Sequence, residues 1–136
     1  MKVILVCQFA GALLSLAQPS EIEAAKKLYQ STRYEEVVDR LRGNPDPEAL
    51  QLAGQSWFQL GEFKKASETL EKALAKSPNS MLHLWLGRAY GRRAESSSPL
   101  TAPIHASKAR DHFEKSVRLD PANLAAQNDL FDYYLR

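Results

Sequence analysis

The chain has 136 residues, of which 44% are hydrophobic and 25% charged, and 18 basic against 16 acidic side chains leave a net charge of +2. That length fits one small folded domain. The balanced charge excludes a protein built to bind nucleic acid, because phosphate recognition needs a concentrated basic surface.

The first seventeen residues differ in character from the rest. Lys2 is their only charge, and an almost entirely apolar stretch follows it. Small residues at Ser15 and Ala17 suit a signal peptidase, so residues 1–17 are predicted to be a secretory signal peptide and 18–136 the mature domain. The apolar run is short for a membrane span. An uncleaved membrane anchor and a buried first helix remain as alternatives.

The only cysteine, Cys7, lies in this segment. Removal of the signal would leave a mature domain without thiols, so disulfides, thiol catalysis and thiolate metal sites are not expected there. We expect an exported protein, periplasmic or extracellular, that has no membrane span after cleavage and is stabilised by helix packing.

Large and small residues recur at helical spacing before and after a turn at Gly61. Leu50, Ala53, Gly54 and Trp57 define a first helix, Ala66, Leu70 and Ala73 a second, and Pro78 ends it. Glycine suits the turn because it adopts positive φ freely. The small residues allow two antiparallel helices to approach closely, while Trp57, Phe63 and Leu70 are expected to fill the space between them.

The same order returns 33 residues later and also occurs upstream. The later copy holds Leu86, Gly87 and Tyr90, then, after about ten extra residues, Ala109, Phe113, Ser116 and Pro121. The upstream copy is degenerate and holds Ala25, Leu28, Tyr34, Val37 and Leu41. The pattern predicts about three helix pairs and a last helix from about Leu124 to Leu135.

These motifs resemble the tetratricopeptide repeat family. The resemblance is carried by Leu86-Gly87-Arg88-Ala89-Tyr90, by Gly61-Glu62-Phe63 with Ala66 and Pro78, and by Asp120-Pro121. It covers roughly residues 19 to 136. It implies an all-α fold in which antiparallel helix-pair repeats stack as a short right-handed solenoid, with the degenerate first pair as a cap.

Local signals place the helix ends and one loop. Gly43 follows a basic last turn and predicts a helix end, and Asp46-Pro47-Glu48 predicts a helix start, an arrangement that Asp120-Pro121 is expected to repeat. The stretch from Glu95 to Pro103 is predicted to be a loop, because three serines and two prolines do not sustain a helix interior. A tolerated mobile insertion is favoured over a contact loop.

Catalytic motifs are not found in the sequence. It holds no Walker loop, HExxH or GxSxG pattern. His105 and His112 could share a helix face and hold a metal with Asp111 or Glu114, but a solvated surface pair is favoured. We therefore predict no enzymatic activity, no cofactor and no metal.

The family resemblance implies a protein–protein interaction module that binds a peptide or partner protein in a concave groove, as an exported scaffold or assembly factor. The predicted groove residues are Ile22, Lys26 and Tyr29, then Gln51, Gln55, Phe58 and Gln59, then Leu84, Arg88 and Arg92. Three cations with no acid among them predict an acidic, partly apolar partner and no nucleic acid. The alternative is a self-associating repeat protein that forms a homo-oligomer through its apolar C-terminal helix.

Expression in a secreting host tests the predicted signal peptide. We expect the intact mass of the exported protein to correspond to a chain that begins at Gln18. A mass that retains Met1 would contradict cleavage and favour the anchor.

Overall fold

The structure is a computed structural model that describes residues 20–136, whose regular structure is entirely helical. The predicted signal peptide lies outside the described residues, so its cleavage stays a prediction. The helices are α1 (Glu21–Gln30), α2 (Tyr34–Arg40), α3 (Pro47–Gln59), α4 (Phe63–Lys76), α5 (Ser80–Glu95), α6 (Ala102–Leu119) and α7 (Leu124–Leu135).

The helices form three pairs and one further helix. Within the pairs α1 packs on α2, α3 on α4 and α5 on α6, and each second helix also packs on the first helix of the next pair. The helices α1, α3, α5 and α7 contact one another in order and form an inner layer. The outer helices α2, α4 and α6 do not pack on each other. The predicted all-α helix-pair solenoid is confirmed.

Among residues 20–136, no helix is both long enough and apolar enough to cross a bilayer.

Two of the predicted helix boundaries are confirmed. The Asp46 side chain accepts a hydrogen bond from the backbone N–H of Glu48 at 2.8 Å, and Pro47 opens α3. Gly43 and Gly61 adopt positive φ angles of 73° and 78° at the two turns. An added side chain would strain the backbone at both positions.

The predicted last helix is confirmed as α7, Leu124–Leu135, but Asp120-Pro121 does not begin it. Asn123 is the N-cap, and its side chain accepts a hydrogen bond from the backbone N–H of Ala126 at 3.1 Å. Asp120 instead follows the end of α6. The cap of this helix is therefore Asn123 and not Asp120, and Asn caps a helix as well as Asp does.

The predicted loop from Glu95 to Pro103 is shorter than expected. α5 includes Glu95, and α6 begins at Ala102 with Pro103 in its first turn, where a missing backbone N–H costs nothing. The extra residues of this pair lengthen its helices to 16 and 18 residues, against 13 in α3 and 14 in α4.

Close helix approach depends on two glycines in the inner layer. A Cβ built on Gly54 would lie 2.5 Å from Cγ of Leu70, and one built on Gly87 would lie 2.5 Å from Cδ1 of Phe113. Leu70 is fully buried and Phe113 is 6% exposed. The predicted role of small residues in close packing is thus seen directly at both pairs.

Trp57 does not fill the space between α3 and α4, contrary to the prediction. Leu52 and Ser56 are buried on the core side of α3, whereas Trp57 remains half-buried. The side-chain ammonium of Lys65 lies 4.6 Å from the centre of its ring. Trp57 lies one turn after Ala53 on the same face of α3, and both residues line an open space between α2 and α4 that leaves the ring partly exposed.

Two glycines of α5 provide a matched test of this packing. Gly87→Ala should lower the free energy of unfolding by about 1–3 kcal/mol, because the new methyl group overpacks against Phe113. Gly91→Ala should raise it by roughly 0.5–1 kcal/mol, because its Cβ meets nothing within 4 Å and alanine favours the helix. Urea denaturation followed by circular dichroism measures both, and equal effects would contradict the packing argument.

Candidate functional site

The inner layer contains an open cavity of about 700 Å³. It lies between α3, α5 and α7 and reaches α6. Four of the predicted groove residues line it: Phe58, Gln59, Arg88 and Arg92. The cavity is therefore the candidate functional site of the described chain.

Aromatic rings form much of the cavity wall. The ring centres of Phe58 and Trp85 are 5.4 Å apart in an edge-to-face arrangement, and the guanidinium of Arg88 lies 4.9 Å from the Trp85 ring. Tyr133 of α7 also lines the cavity and packs near Phe113 at 6.4 Å between ring centres. Such a wall suits a large apolar side chain of a ligand.

The charges of this cavity are paired, contrary to the sequence expectation of cations without acids. Arg88 Nε is 2.5 Å from Oδ2 of Asp129, and both side chains are less than one third exposed. Glu95 binds Arg92 at 2.5 Å and Arg136 at 3.2 Å. The lining holds three arginines and three acids, so it presents no net basic surface.

The predicted residues of the first pair lie outside the cavity lining. Lys26 contacts Glu23 at 2.8 Å and Glu48 at 2.6 Å, and these hydrogen bonds raise the pKa of its ammonium. The Tyr29 hydroxyl accepts a hydrogen bond from Nε2 of Gln59 at 3.4 Å. Ile22 is partly buried against the core around α1 and α2.

Leu84 cannot contact a partner as predicted. It is 1% exposed and belongs to a buried cluster that includes Ala126 of α7. The 33-residue shift correctly placed Leu84 on the same helix face of α5 that Gln51 occupies on α3. It did not reveal that α7 packs on α5 and buries Leu84. The amide of Gln51 accepts a weak hydrogen bond from Asn79 at 3.5 Å, and Gln55 is half-buried outside the cavity lining.

Sequence reasoning missed the contribution of α7 to this site. Asp129, Tyr133 and Arg136 all line the cavity. The sequence does contain a signal that identifies this contribution. The N-cap residues Asn79 and Asn123 align α7 with α5 at a shift of 44 residues. That alignment identifies α7 as another inner-layer helix.

A second polar cluster lies on the outer side of α5. His83 Nδ1 and His112 Nδ1 are 2.9 Å apart, and the Tyr90 hydroxyl donates to Glu71 at 3.1 Å. Glu71 also lies 3.6 Å from Nε2 of His112. We call these four residues the histidine cluster.

Burial sets the protonation of this cluster. It lowers the pKa of His83 and brings that of His112 to about 4, so both imidazoles are neutral at pH 7. It raises the pKa of Tyr90 to about 12.

The histidine pair favoured from sequence is not the one that forms. The expectation of a solvated His105–His112 pair is wrong, because His112 is largely buried and pairs with His83. Among the described residues, no group of three histidine, cysteine or acidic side chains is arranged to hold a metal ion.

Comparison with known proteins identifies a repeat in this chain and proteins of similar sequence or fold. Residues 47–80 match the family model of the tetratricopeptide repeat. The chain carries a tetratricopeptide repeat. This repeat comprises α3, α4 and the first residue of α5, and it supplies Phe58 and Gln59 to the cavity.

Two relatives extend the comparison. Rhomboid protease GluP of Bacillus subtilis (strain 168) is 33% identical over 87 residues, which cover 56% of this chain and 17% of GluP. Human IFIT1, solved as a dimer with PPP-AAAA, has a TM-score of 0.71 at 24% identity, covering 85% of this chain and 28% of that chain. The chain spans under a third of either relative, and the likeness to IFIT1, which contains tetratricopeptide repeats, concerns the fold.

Proposed function

We propose that this chain is a non-catalytic interaction module that binds a peptide segment of a partner protein in the cavity between α3, α5 and α7. Tetratricopeptide repeats support protein–protein interaction as the general function. The observation that carries the proposal is the open aromatic wall formed by Phe58, Trp85 and Tyr133. Aromatic side chains in a concave site commonly dominate binding energy.

The paired charges define which segment would fit. An acidic peptide would have to compete with Asp129 for Arg88 and with Glu95 for Arg92. We therefore propose that a large apolar side chain enters the cavity, while polar backbone groups of the peptide meet the charged rim. The acidic partner expected from sequence is better served by another surface, described below.

Export is part of the proposed role. Lys2 and the apolar stretch after it support an exported scaffold or assembly factor in the periplasm or outside the cell.

Peptides selected from a display library against the intact chain test the cavity. Phe58→Ala and Tyr133→Ala should each weaken binding of a selected peptide by roughly 2 kcal/mol, because both remove a wall of the site. Isothermal titration calorimetry measures the change after circular dichroism has shown that each variant is folded. Leu100→Ala is the control, because Leu100 is 88% exposed in the loop after α5. Loss of binding in the control alone would make that loop the site.

A second candidate function is self-association through the outer face of α7. Leu124, Phe131 and Leu135 are 70%, 63% and 69% exposed. Phe131 occupies the position of Gly87 at the 44-residue shift, so a second helix cannot approach α7 as α6 approaches α5. A second copy in antiparallel orientation fits instead, because a two-fold axis at the middle of α7 brings Leu124 next to Leu135 of the other copy.

Light scattering after size-exclusion chromatography tests this candidate. The parent should show a dimer mass at micromolar concentration, and Phe131→Glu should show a monomer because it places charge in the contact. Ile104→Glu is the control, since Ile104 is 57% exposed on α6 and lies outside the proposed contact. A parent that stays monomeric over the whole concentration range rules the dimer out.

A further inference from the structure

The outer layer contains two equivalent grooves, one between α2 and α4 over α3 and one between α4 and α6 over α5. We call them the α2–α4 groove and the α4–α6 groove. A shift of 33 residues relates their floors, so Trp57 in the first corresponds to Tyr90 in the second. The comparison shows what occupies each groove.

The α4–α6 groove is filled by its own side chains. Tyr90 is 5% exposed and stacks on His112 with 5.7 Å between ring centres. Its hydroxyl donates to Glu71 on the α4 side, and Lys108 on α6 lies 5.0 Å from its ring. An aromatic ring, a carboxylate and a lysine thus close this groove.

The α2–α4 groove keeps the ring and the lysine but lacks the other partners. Lys65 lies over Trp57 as Lys108 lies over Tyr90. At the repeat shifts, Thr69 stands where His112 does, and Arg42 stands where Glu71 does. The groove therefore retains an open space of about 430 Å³ above a half-buried Trp57.

The open groove is basic, unlike the inner cavity. Its charged lining residues are Arg42, Lys72 and Lys76, with no acid among the described residues that line it. Asp39, which does not line the groove, forms an ion pair with Arg42 at 2.5 Å. Lys76 donates a hydrogen bond to the backbone carbonyl of Pro45 at 2.6 Å. On α4, Lys65, Lys72 and Lys76 share one face, because they are spaced by seven and four residues.

We propose that the α2–α4 groove is a second binding site, for an acidic amphipathic peptide segment of a partner protein. An apolar side chain of the segment packs on Trp57 and on Leu50 beside it. A carboxylate of the segment lies between α2 and α4, where Glu71 lies in the filled groove. A bilayer surface fits less well, because Trp57 forms the floor of a concave slot that a flat surface does not reach.

Trp57 itself reports on the groove once Trp85→Phe has removed the other tryptophan. The probe is a synthetic amphipathic helix of about 14 residues with leucines on one face and glutamates beside them. Addition of this peptide at low salt should shift the emission maximum of Trp57, which a fluorescence titration measures. The same peptide with lysine for glutamate should leave the emission unchanged, because it meets only cations.

Charge reversals locate the site. Arg42→Glu and Lys72→Glu in that background should each weaken binding about tenfold, because each places an acid in the groove. Lys64→Glu, on another face of α4, and Phe58→Ala, in the inner cavity, should leave the affinity within about twofold. Circular dichroism confirms folding of each variant.

Four results would overturn the proposal. Equal binding of the glutamate and lysine peptides would show that charge does not determine binding. Unchanged affinity in Arg42→Glu and Lys72→Glu would show that the peptide does not bind in the α2–α4 groove. A Trp57 shift with phosphatidylglycerol vesicles but not with the acidic peptide would make the surface a membrane contact. Loss of binding in Phe58→Ala alone would assign the peptide to the inner cavity.

Discussion

The close contact between paired helices governs the rest of this structure. At Gly54 and Gly87 a side chain of the second helix lies directly on the backbone of the first, at distances that no Cβ could accept. This contact fixes how α4 sits on α3 and α6 on α5. Successive inner helices also contact each other, and α3, α5 and α7 enclose the cavity. In α7, Phe131 occupies the position of Gly87, so the described repeats end with an exposed aromatic side chain where α3 and α5 have a glycine.

Residue type at equivalent positions decides which outer groove is filled. His112 on α6 stacks on Tyr90, whereas its counterpart on α4, Thr69, leaves Trp57 partly open. Both grooves use the same helix-pair geometry, with a lysine over an aromatic ring. The difference lies in a few substituted positions, of which Arg42 in place of Glu71 changes the sign of the charge.

Charge pairing separates the inner and outer surfaces. In the inner cavity, acids from α5 and α7 neutralise the arginines of α5. Asp129 and Arg88 are 41 residues apart along the chain and meet only because α7 packs beside α5. On the outer side of α4, the lysines of the α2–α4 groove face Arg42 instead of an acid. The proposed division is an inner cavity for apolar side chains and an outer groove for acidic ones.

The sequence by itself determined the all-α class, the three helix pairs, the cap at Asp46, the last helix and the close packing at Gly54 and Gly87. These features follow from local periodicity and from residue types with strong backbone preferences. It also placed Phe58 and Arg88 at the candidate site, since a repeat shift preserves the face of a helix. Only the tertiary structure decided that Leu84 is buried, that Trp57 is partly open, and that Arg88 and His112 are paired with Asp129 and His83. Burial and pairing depend on which distant helix covers each face, and no spacing within one repeat contains that information.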